Sequence, residues 1–179
     1  MRKLLITLLL LLPLLSQAQT PAKNLVRIGW GDMFYESLAF PSAGRDMGGH
    51  GYTGHLFAEY QYRITRVISV GGQIDFEGIF TPEMDNYDLA VMPTVRFTYL
   101  NKPMVKLHSA VGAGLLVAFD NQGGCELAPA LDLNLIGVEL GEGPVTIGLD
   151  LGMMNSLLSG SQVYLLGARL LSVSLNYRF

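Results

Sequence analysis

The side chains best suited to catalysis or metal binding are three histidines and one cysteine: His50, His55, His108 and Cys125. Nucleophilic catalysis needs a histidine next to the nucleophile and an acidic group that orients that histidine. His55 and Glu59 share one parity of a segment, but four strand residues separate them by roughly 13 Å. The spacing therefore shows no Ser-His-acid set, although pairing between strands could assemble one.

Metal and cofactor sites are not indicated either. Structural zinc sites gather Cys and His ligands at short spacings, whereas these residues are scattered, and a lone Cys125 excludes an intramolecular disulfide. Asp85 and Asp88, near Glu83, could hold a Ca²⁺ ion, but exposed carboxylates are more often simply solvated. Gly112-Ala113-Gly114 lacks the lysine and the helix of a phosphate loop. We predict no catalytic residue, no cofactor and no metal.

A second set of charged residues alternates with apolar ones along several segments. Alternate side chains of a strand point to opposite faces, so these residues share one face. They carry both signs of charge: Arg27, Glu59, Arg63, Asp75, Glu77, Arg96, Lys106, Asp132 and Asp150. Such a set could form a paired polar network in a narrow lumen, or it could cover a soluble barrel.

The positions of the aromatic residues favour the first alternative, a polar network inside the lumen of a membrane barrel. One group is predicted at one end of the strands: Phe34, Tyr35, Tyr52, Phe80, Tyr87, Phe119 and Tyr164. A second group is predicted at the other end: Tyr62, Tyr99, Tyr177 and Phe179. Two aromatic rings match the girdles of a membrane barrel at its two interfaces. The apolar face therefore points to lipid and the polar face points inward.

Eight segments show this alternation, at about 24–34, 52–63, 66–78, 88–100, 104–119, 127–139, 144–154 and 165–179. The connections at 35–51, 79–87, 120–126 and 155–164 are predicted to be long. Those near 64–65, 101–103 and 140–143 are predicted to be short. Short turns at one end and longer loops at the other are typical of an up-and-down barrel in an outer membrane.

Two places break the alternation. Arg169 falls on the lipid face of the last segment, which predicts a β-bulge near Leu170 or a position at the polar rim. The sixth segment contains Pro129 and loses its phase at Ile136-Gly137-Val138, so its boundaries are poorly defined.

The N-terminal residues predict export. Arg2 and Lys3 precede the apolar run Leu4–Leu15, and Ser16-Gln17-Ala18 offers small residues for cleavage. A helix of about 12 residues spans only ~18 Å of a hydrocarbon core of ~30 Å, so an N-terminal anchor is disfavoured. We predict a signal peptide over residues 1–18 and a single barrel domain over 19–179.

The composition is compatible with a membrane barrel. Without Arg2 and Lys3, 10 basic residues face 15 acidic ones, a net charge of −5 that disfavours a nucleic-acid or anionic-phosphate partner on bulk charge alone. The chain is 50% hydrophobic with a mean hydropathy of +0.34. No segment after the predicted signal has the roughly 18 apolar residues of a spanning helix. A closed barrel is the other structure that satisfies its backbone in lipid.

The last ten residues, LLSVSLNYRF, place five apolar side chains on one parity: Leu171, Val173, Leu175, Tyr177 and Phe179. This strand resembles the closing strand of bacterial outer-membrane barrels, where it is the signal read by the barrel assembly machinery. The mature chain resembles the small eight-stranded outer-membrane β-barrel proteins of Gram-negative bacteria, in the OmpA/OmpX size class. Met92–Asn101, Val105–Ser109 and the opening Val26–Asp32 resemble uncharacterised outer-membrane β-barrel domain proteins in particular.

The resemblance implies an all-β fold: an eight-stranded antiparallel up-and-down transmembrane β-barrel, monomeric, in the bacterial outer membrane. Its partners would be outer-membrane lipids, lipopolysaccharide and, during biogenesis, the assembly machinery. We expect a structural, adhesive or envelope-maintenance role with a side-chain-filled lumen. The alternatives are a lipid-modifying enzyme and a narrow ion or solute channel. An extracellular ligand could be contacted through loop residues: Phe40, Met47, Tyr52, Leu157 and Leu158.

Overall fold

The computed structural model describes residues 22–40, 45–80, 85–120, 125–157 and 164–179, which form eight strands. The strands are β1 (Asn24–Phe40), β2 (Arg45–Arg63), β3 (Ile68–Phe80), β4 (Asp85–Asn101), β5 (Val105–Asp120), β6 (Cys125–Leu140), β7 (Val145–Leu157) and β8 (Tyr164–Arg178). Each strand pairs antiparallel with its neighbours in sequence, and β8 pairs with β1, so the sheet is a closed barrel. The predicted signal peptide lies outside the described residues.

The seam between the first and last strands closes the barrel. Its pairing runs from Leu25 opposite Arg178 to Glu36 opposite Leu166. At the chain end, Asn24 N donates to Phe179 O at 3.0 Å and Phe179 N donates to Asn24 O at 3.1 Å. Closure leaves no unpaired sheet edge, which is the condition for a sheet to lie in hydrocarbon.

The barrel is apolar outside and polar inside. Ile28, Trp30 and Leu175 are 64%, 58% and 55% exposed on the outer wall, while nearly all strand residues of the opposite parity are buried in the lumen. A soluble barrel has the reverse arrangement, so the predicted orientation is confirmed. Among the described residues, no helix is long and apolar enough to cross a membrane.

The predicted difference in connection length is wrong. The long connections expected at 35–51, 79–87, 120–126 and 155–164 are mostly strand, and the intervals between strands shrink to 41–44, 81–84, 121–124 and 158–163. We call this end of the barrel the hairpin end. The other end carries both described termini and the turns 64–67, 102–104 and 141–144, and we call it the terminal end.

What distinguishes the hairpin end is strand length rather than loop length. β1 and β2 stay paired up to Phe40 opposite Arg45. β1 has 17 residues, whereas a tilted strand needs only about 9–11 to cross a bilayer. The polar and glycine-rich sequence that predicted loops instead continues the ladder as a hairpin.

Two β-bulges explain the breaks in alternation. Pairing of β8 slips between Arg169 and Ser172 against β7, and at the matching position against β1. Leu170 and Leu171 therefore both face outward, and Arg169 turns into the lumen. The predicted bulge near Leu170 is confirmed. A second slip lets Leu135 and Ile136 both face outward in β6, where the sequence loses its phase.

Candidate functional site

The lumen is the candidate site, because it holds nearly all buried charge. Of the nine predicted lumen residues, seven are buried there: Arg27, Glu59, Asp75, Glu77, Arg96, Asp132 and Asp150. Arg63 and Lys106 are half-buried at the terminal end. The structure arranges these charges in three groups along the barrel axis, which the sequence did not reveal.

Arg27 on β1 organises the middle group. Its Nη1 donates to Glu59 Oε2 on β2 at 2.5 Å, and its Nη2 donates to Asp150 on β7. Its Nε donates to Asn176 Oδ1 on β8 at 3.1 Å. One guanidinium thus joins three other strands across the lumen. We call Arg27, Glu59, Asp150 and Asn176 the central cluster.

His108 on β5 extends the central cluster. Its Nε2 lies 2.8 Å from Asp150 Oδ1, and Asn134 Nδ2 donates to the same oxygen at 2.6 Å. Gly137 lies opposite both His108 and Asp150 in the ladders. A Cβ at Gly137 would lie 2.1 Å from His108 Nε2 and 2.3 Å from Asp150 Oδ1. The glycine therefore makes room for this bond, and only the register could reveal it.

The terminal end of the lumen is rich in cations. We call the residues Arg63, Arg66, Arg96, Lys106 and Arg178 the basic cluster. Four of the side-chain donors around it converge on one buried carboxylate, Glu139. Lys106 Nζ donates at 3.1 Å, Arg178 Nε at 3.0 Å and Thr146 Oγ1 at 2.8 Å, all to Oε1. Arg96 Nη2 donates more weakly to Oε2 at 3.5 Å.

Sequence reasoning missed Glu139, Arg178 and Arg66. Glu139 stands where β6 had lost its alternation. Arg178 shares the polar parity of β8, which was the available signal, and Arg66 lies in the turn 64–67.

The hairpin end of the lumen is rich in carboxylates. We call Asp75, Glu77, Asp88 and Asp132 the acidic cluster; all four are buried. Arg169 pairs with Asp132, and Gln73 Nε2 donates to Asp75 and, at 3.3 Å, to Asp132 Oδ2. Neither oxygen of Glu77 has a hydrogen-bond partner in the described part of the chain. Glu77 lies between His55 and Asp88 in the ladders.

The structure brings together one serine and one histidine. Ser172 Oγ and His55 Nε2 lie 3.4 Å apart inside the lumen. Within the described residues, His55 Nδ1 has no hydrogen-bond partner, so the acidic group that orients a catalytic histidine is missing there. The pair also lies in the lumen, away from the lipid-facing wall on which a lipid substrate would approach. The Ser172–His55 pair therefore lacks the arrangement that serine hydrolysis requires.

Metal ligation finds no support in the described residues, where no three His, Cys, Asp or Glu side chains are placed to share an ion. Asp88, suggested as a Ca²⁺ ligand, points into the lumen; Glu83 lies outside the described residues. Cys125 is free and exposed.

Little empty space remains between the charged groups. A cavity of about 20 Å³ lies at the middle of the lumen beside Arg27, Asp132 and Asp150. Another of about 20 Å³ lies at the terminal end. Each has room for about one water molecule, so side chains fill the described lumen.

Comparison with known proteins supports the fold. No protein-family model matches the chain, and no curated protein matches it in sequence. Among solved structures, Neisserial surface protein A superposes with a TM-score of 0.65 at 15% identity, over 87% of this chain and 97% of that one. The Yersinia pestis attachment invasion locus protein Ail, in complex with the heparin analogue sucrose octasulfate, superposes with a TM-score of 0.53 at 16% identity, over 89% and 100%.

Both similar structures are small outer-membrane barrels, and identities this low establish the fold alone. The superpositions cover 87% and 89% of this chain and so match most of its closed eight-stranded ladder. The chain therefore has the fold of the small eight-stranded outer-membrane β-barrels.

Proposed function

We propose that this barrel is a non-conducting structural protein of the bacterial outer membrane. The observation that carries the proposal is the central cluster, in which Arg27 joins β1 to β2, β7 and β8 across the lumen. An eight-stranded barrel is only wide enough for its own side chains. A hydrated ion would have to break these charge-assisted hydrogen bonds to pass.

Buried pairing explains why the cluster acts as a plug. Arg27 and Glu59 have side chains only 3% and 1% exposed. Such a pair is costly to open, because each charge would lose its partner in a space too small for full hydration. The proposal therefore favours the filled lumen over the narrow channel.

Planar-bilayer recording tests the plug. The folded wild-type barrel should give no stable conductance steps. The double variant Arg27→Ala/Asp150→Ala should give them, because it removes the cation and one of its carboxylate partners. Lys102→Ala, an exposed cation in the turn 102–104, is the control and should remain silent. Steady steps from the folded wild type would refute the plug in favour of the channel.

A contact role outside the cell is the second candidate, and strand length at the hairpin end favours it. Ladder pairing of β1 and β2 to Phe40 and Arg45 extends the wall past the length that a bilayer requires. Ail is named for attachment and invasion, but its likeness to this chain concerns the fold. Of the suggested contact residues, Phe40, Met47, Tyr52 and Leu157 lie in strands at the hairpin end, and Leu158 lies outside the described residues.

Adhesion is tested by replacing residues 38–47, the tip of the first hairpin, with a short Asn-Gly turn and measuring attachment of cells that display the barrel. Loss of attachment with normal surface display would favour adhesion. Unchanged attachment would leave the structural role.

We also propose that the last strand is the assembly signal. Leu171, Val173 and Leu175 are exposed on the outer wall, and Phe179 ends the seam with β1. Tyr177 and Phe179 stack with ring centroids 5.6 Å apart. Deleting Phe179 should lower the fraction of protein that shows heat-modifiable gel mobility in outer membranes, whereas Phe119→Leu, on the wall at the other end, should not. Equal folded fractions would refute the assignment.

A further inference from the structure

The cavity at the terminal end is lined by four arginine side chains, Arg63, Arg66, Arg96 and Arg178. Arg96 is only 2% exposed, yet its Nε and Nη1 have no hydrogen-bond partner among the described residues. Its one hydrogen bond, to Glu139, is long at 3.5 Å, and its Nη1 lies 4.0 Å from Glu59 Oε2, which is an ion pair beyond hydrogen-bond distance. Buried donors are nearly always paired with protein, water or a ligand. The unmatched donors of Arg96 therefore indicate that this cavity is built to receive an acceptor.

The neighbouring cations point the same way. Arg63 makes no ion pair in the described structure, and its guanidinium is repelled by that of Arg178. Arg66 is exposed in the turn beside them. Two described carboxylates contact the basic cluster: Glu59 Oε2 lies 4.0 Å from Arg96 Nη1, and the oxygens of Glu139 already accept from Lys106, Arg178, Arg96 and Thr146. Gathering like charges is unfavourable unless an anion neutralises them.

We propose that the terminal end of the lumen binds a phosphate-class oxyanion, held by Arg63, Arg66 and the free donors of Arg96. Guanidinium groups present planar pairs of N–H donors that match phosphate oxygens. The cavity of about 20 Å³ has room for about one water-sized group, so one phosphate oxygen enters it and the rest of the ligand stays outside the mouth. The phosphate belongs either to a soluble anion or to a lipid headgroup at the adjacent membrane interface.

The overall net charge, −3 for the full chain and −5 without Arg2 and Lys3, disfavours an anionic-phosphate partner on bulk charge alone. The local arrangement of charges at the terminal end outweighs that argument. The acidic cluster lies at the hairpin end, separated from the basic cluster by the central cluster. A ligand at the terminal end therefore meets mainly cations. The proposal does not depend on whether the lumen conducts.

Nuclear magnetic resonance of the full barrel in zwitterionic phosphatidylcholine nanodiscs tests the site. Pyrophosphate is titrated at constant ionic strength while the arginine Nε–Hε signals are followed. Saturable shifts are expected for Arg63, Arg66 and Arg96, and not for Arg27 or Arg169. A second arm replaces part of the phosphatidylcholine with anionic phosphatidylglycerol and omits pyrophosphate. Shifts in the first arm identify a soluble phosphate, and shifts in the second alone identify a headgroup.

Two variants of equal charge decide between a site and general attraction. Arg63→Gln/Arg66→Gln should weaken pyrophosphate binding by at least about tenfold, since charge-assisted bonds are lost from both arginines. Lys23→Gln/Lys102→Gln removes two exposed cations at the same end and should change the affinity less than twofold. Heat-modifiable mobility confirms that each variant is folded. The absence of saturable shifts in both arms, or equal weakening by the two variants, would overturn the proposal.

Discussion

The two ends of the lumen carry opposite charges in nearly mirrored arrangements. At the hairpin end, the acidic cluster of four carboxylates shares one described arginine, Arg169. At the terminal end, three of the five cations of the basic cluster pair with one described carboxylate, Glu139, and Arg96 also lies 4.0 Å from Glu59 of the central cluster. Each end of the lumen thus carries mainly charges of one sign, together with a single group of the opposite charge. The central cluster separates them.

The ends differ in their access to solvent. Asp75 and Glu77 are 0% and 1% exposed, whereas Arg63 and Lys106 are half-buried and Arg66 is exposed. A buried charge without a partner is far more costly than one that water can reach. The acidic end therefore carries a larger cost in stability, while the basic end can be neutralised from outside.

The largest expected effect comes from removing the group that separates the ends. Arg27→Met should lower the free energy of unfolding by about 3–5 kcal/mol, because Glu59 and Asp150 would stay buried without their shared cation. Urea unfolding in lipid vesicles, followed by the fluorescence of the single tryptophan Trp30, measures the change. Lys102→Met is the control and should shift it by less than about 0.5 kcal/mol. A loss below 1 kcal/mol for Arg27→Met would contradict a central role.

One substitution should have opposite effects at the two ends. Glu139→Gln should destabilise the barrel by about 2–3 kcal/mol, since Arg178, Lys106 and Arg96 would lose their common acceptor. Glu77→Gln should instead stabilise it by about 1 kcal/mol, because it replaces a buried carboxyl group that lies among other carboxylates and whose oxygens have no described hydrogen-bond partner. The same urea experiment compares them. Two changes of the same sign would mean that the ends are not mirrored.

Replacing one arginine at each end should change the stability less than replacing the carboxylates does. Arg169→Gln should destabilise by about 1.5–2 kcal/mol, because Asp132 loses its cation among other carboxylates. Arg63→Gln should change stability by less than about 0.5 kcal/mol, since Arg63 makes no ion pair with any described residue and is repelled by Arg178. Thermal unfolding followed by gel mobility ranks the two variants. An equal loss from both would show that Arg63 has an important partner.

The sequence predicts the wall much better than the lumen. Alternation identifies eight strands, and the two breaks at Leu170–Leu171 and Leu135–Ile136 are real bulges. The hairpin-end boundaries were wrong because glycine and polar residues resemble loop sequence, whereas backbone pairing between β1 and β2 continues through them. The alternation of side chains reflects the surroundings of the two faces of a strand. Beyond the bilayer both faces meet water, so the pattern no longer marks the strand there.

The partners inside the lumen depend on register, which one strand does not encode. The parity of Arg27 places it inside, but its bonds to Glu59 and Asp150 follow from the pairing of β1 with β2 and from the closure of the barrel through β8. Glu139 follows the bulge in β6, so its inward direction depends on a slip of one residue. The separation of the two signs along the axis is likewise a property of the closed barrel.

The smallest expected effect is the response of the two ends to salt. The Debye length falls from about 10 Å at 0.1 M to about 3 Å at 1 M, and buried charges are screened far less than exposed ones. Raising NaCl should therefore stabilise the wild type by a few tenths of a kcal/mol, by weakening repulsion among Arg63, Arg66 and Arg178 at the open end. Arg63→Gln/Arg66→Gln should lose most of this increment. Glu77→Gln should keep it, because the acidic end is sealed from the added ions. A salt response that vanished in Glu77→Gln and survived in the arginine double variant would reverse the assignment of which end is open to solvent.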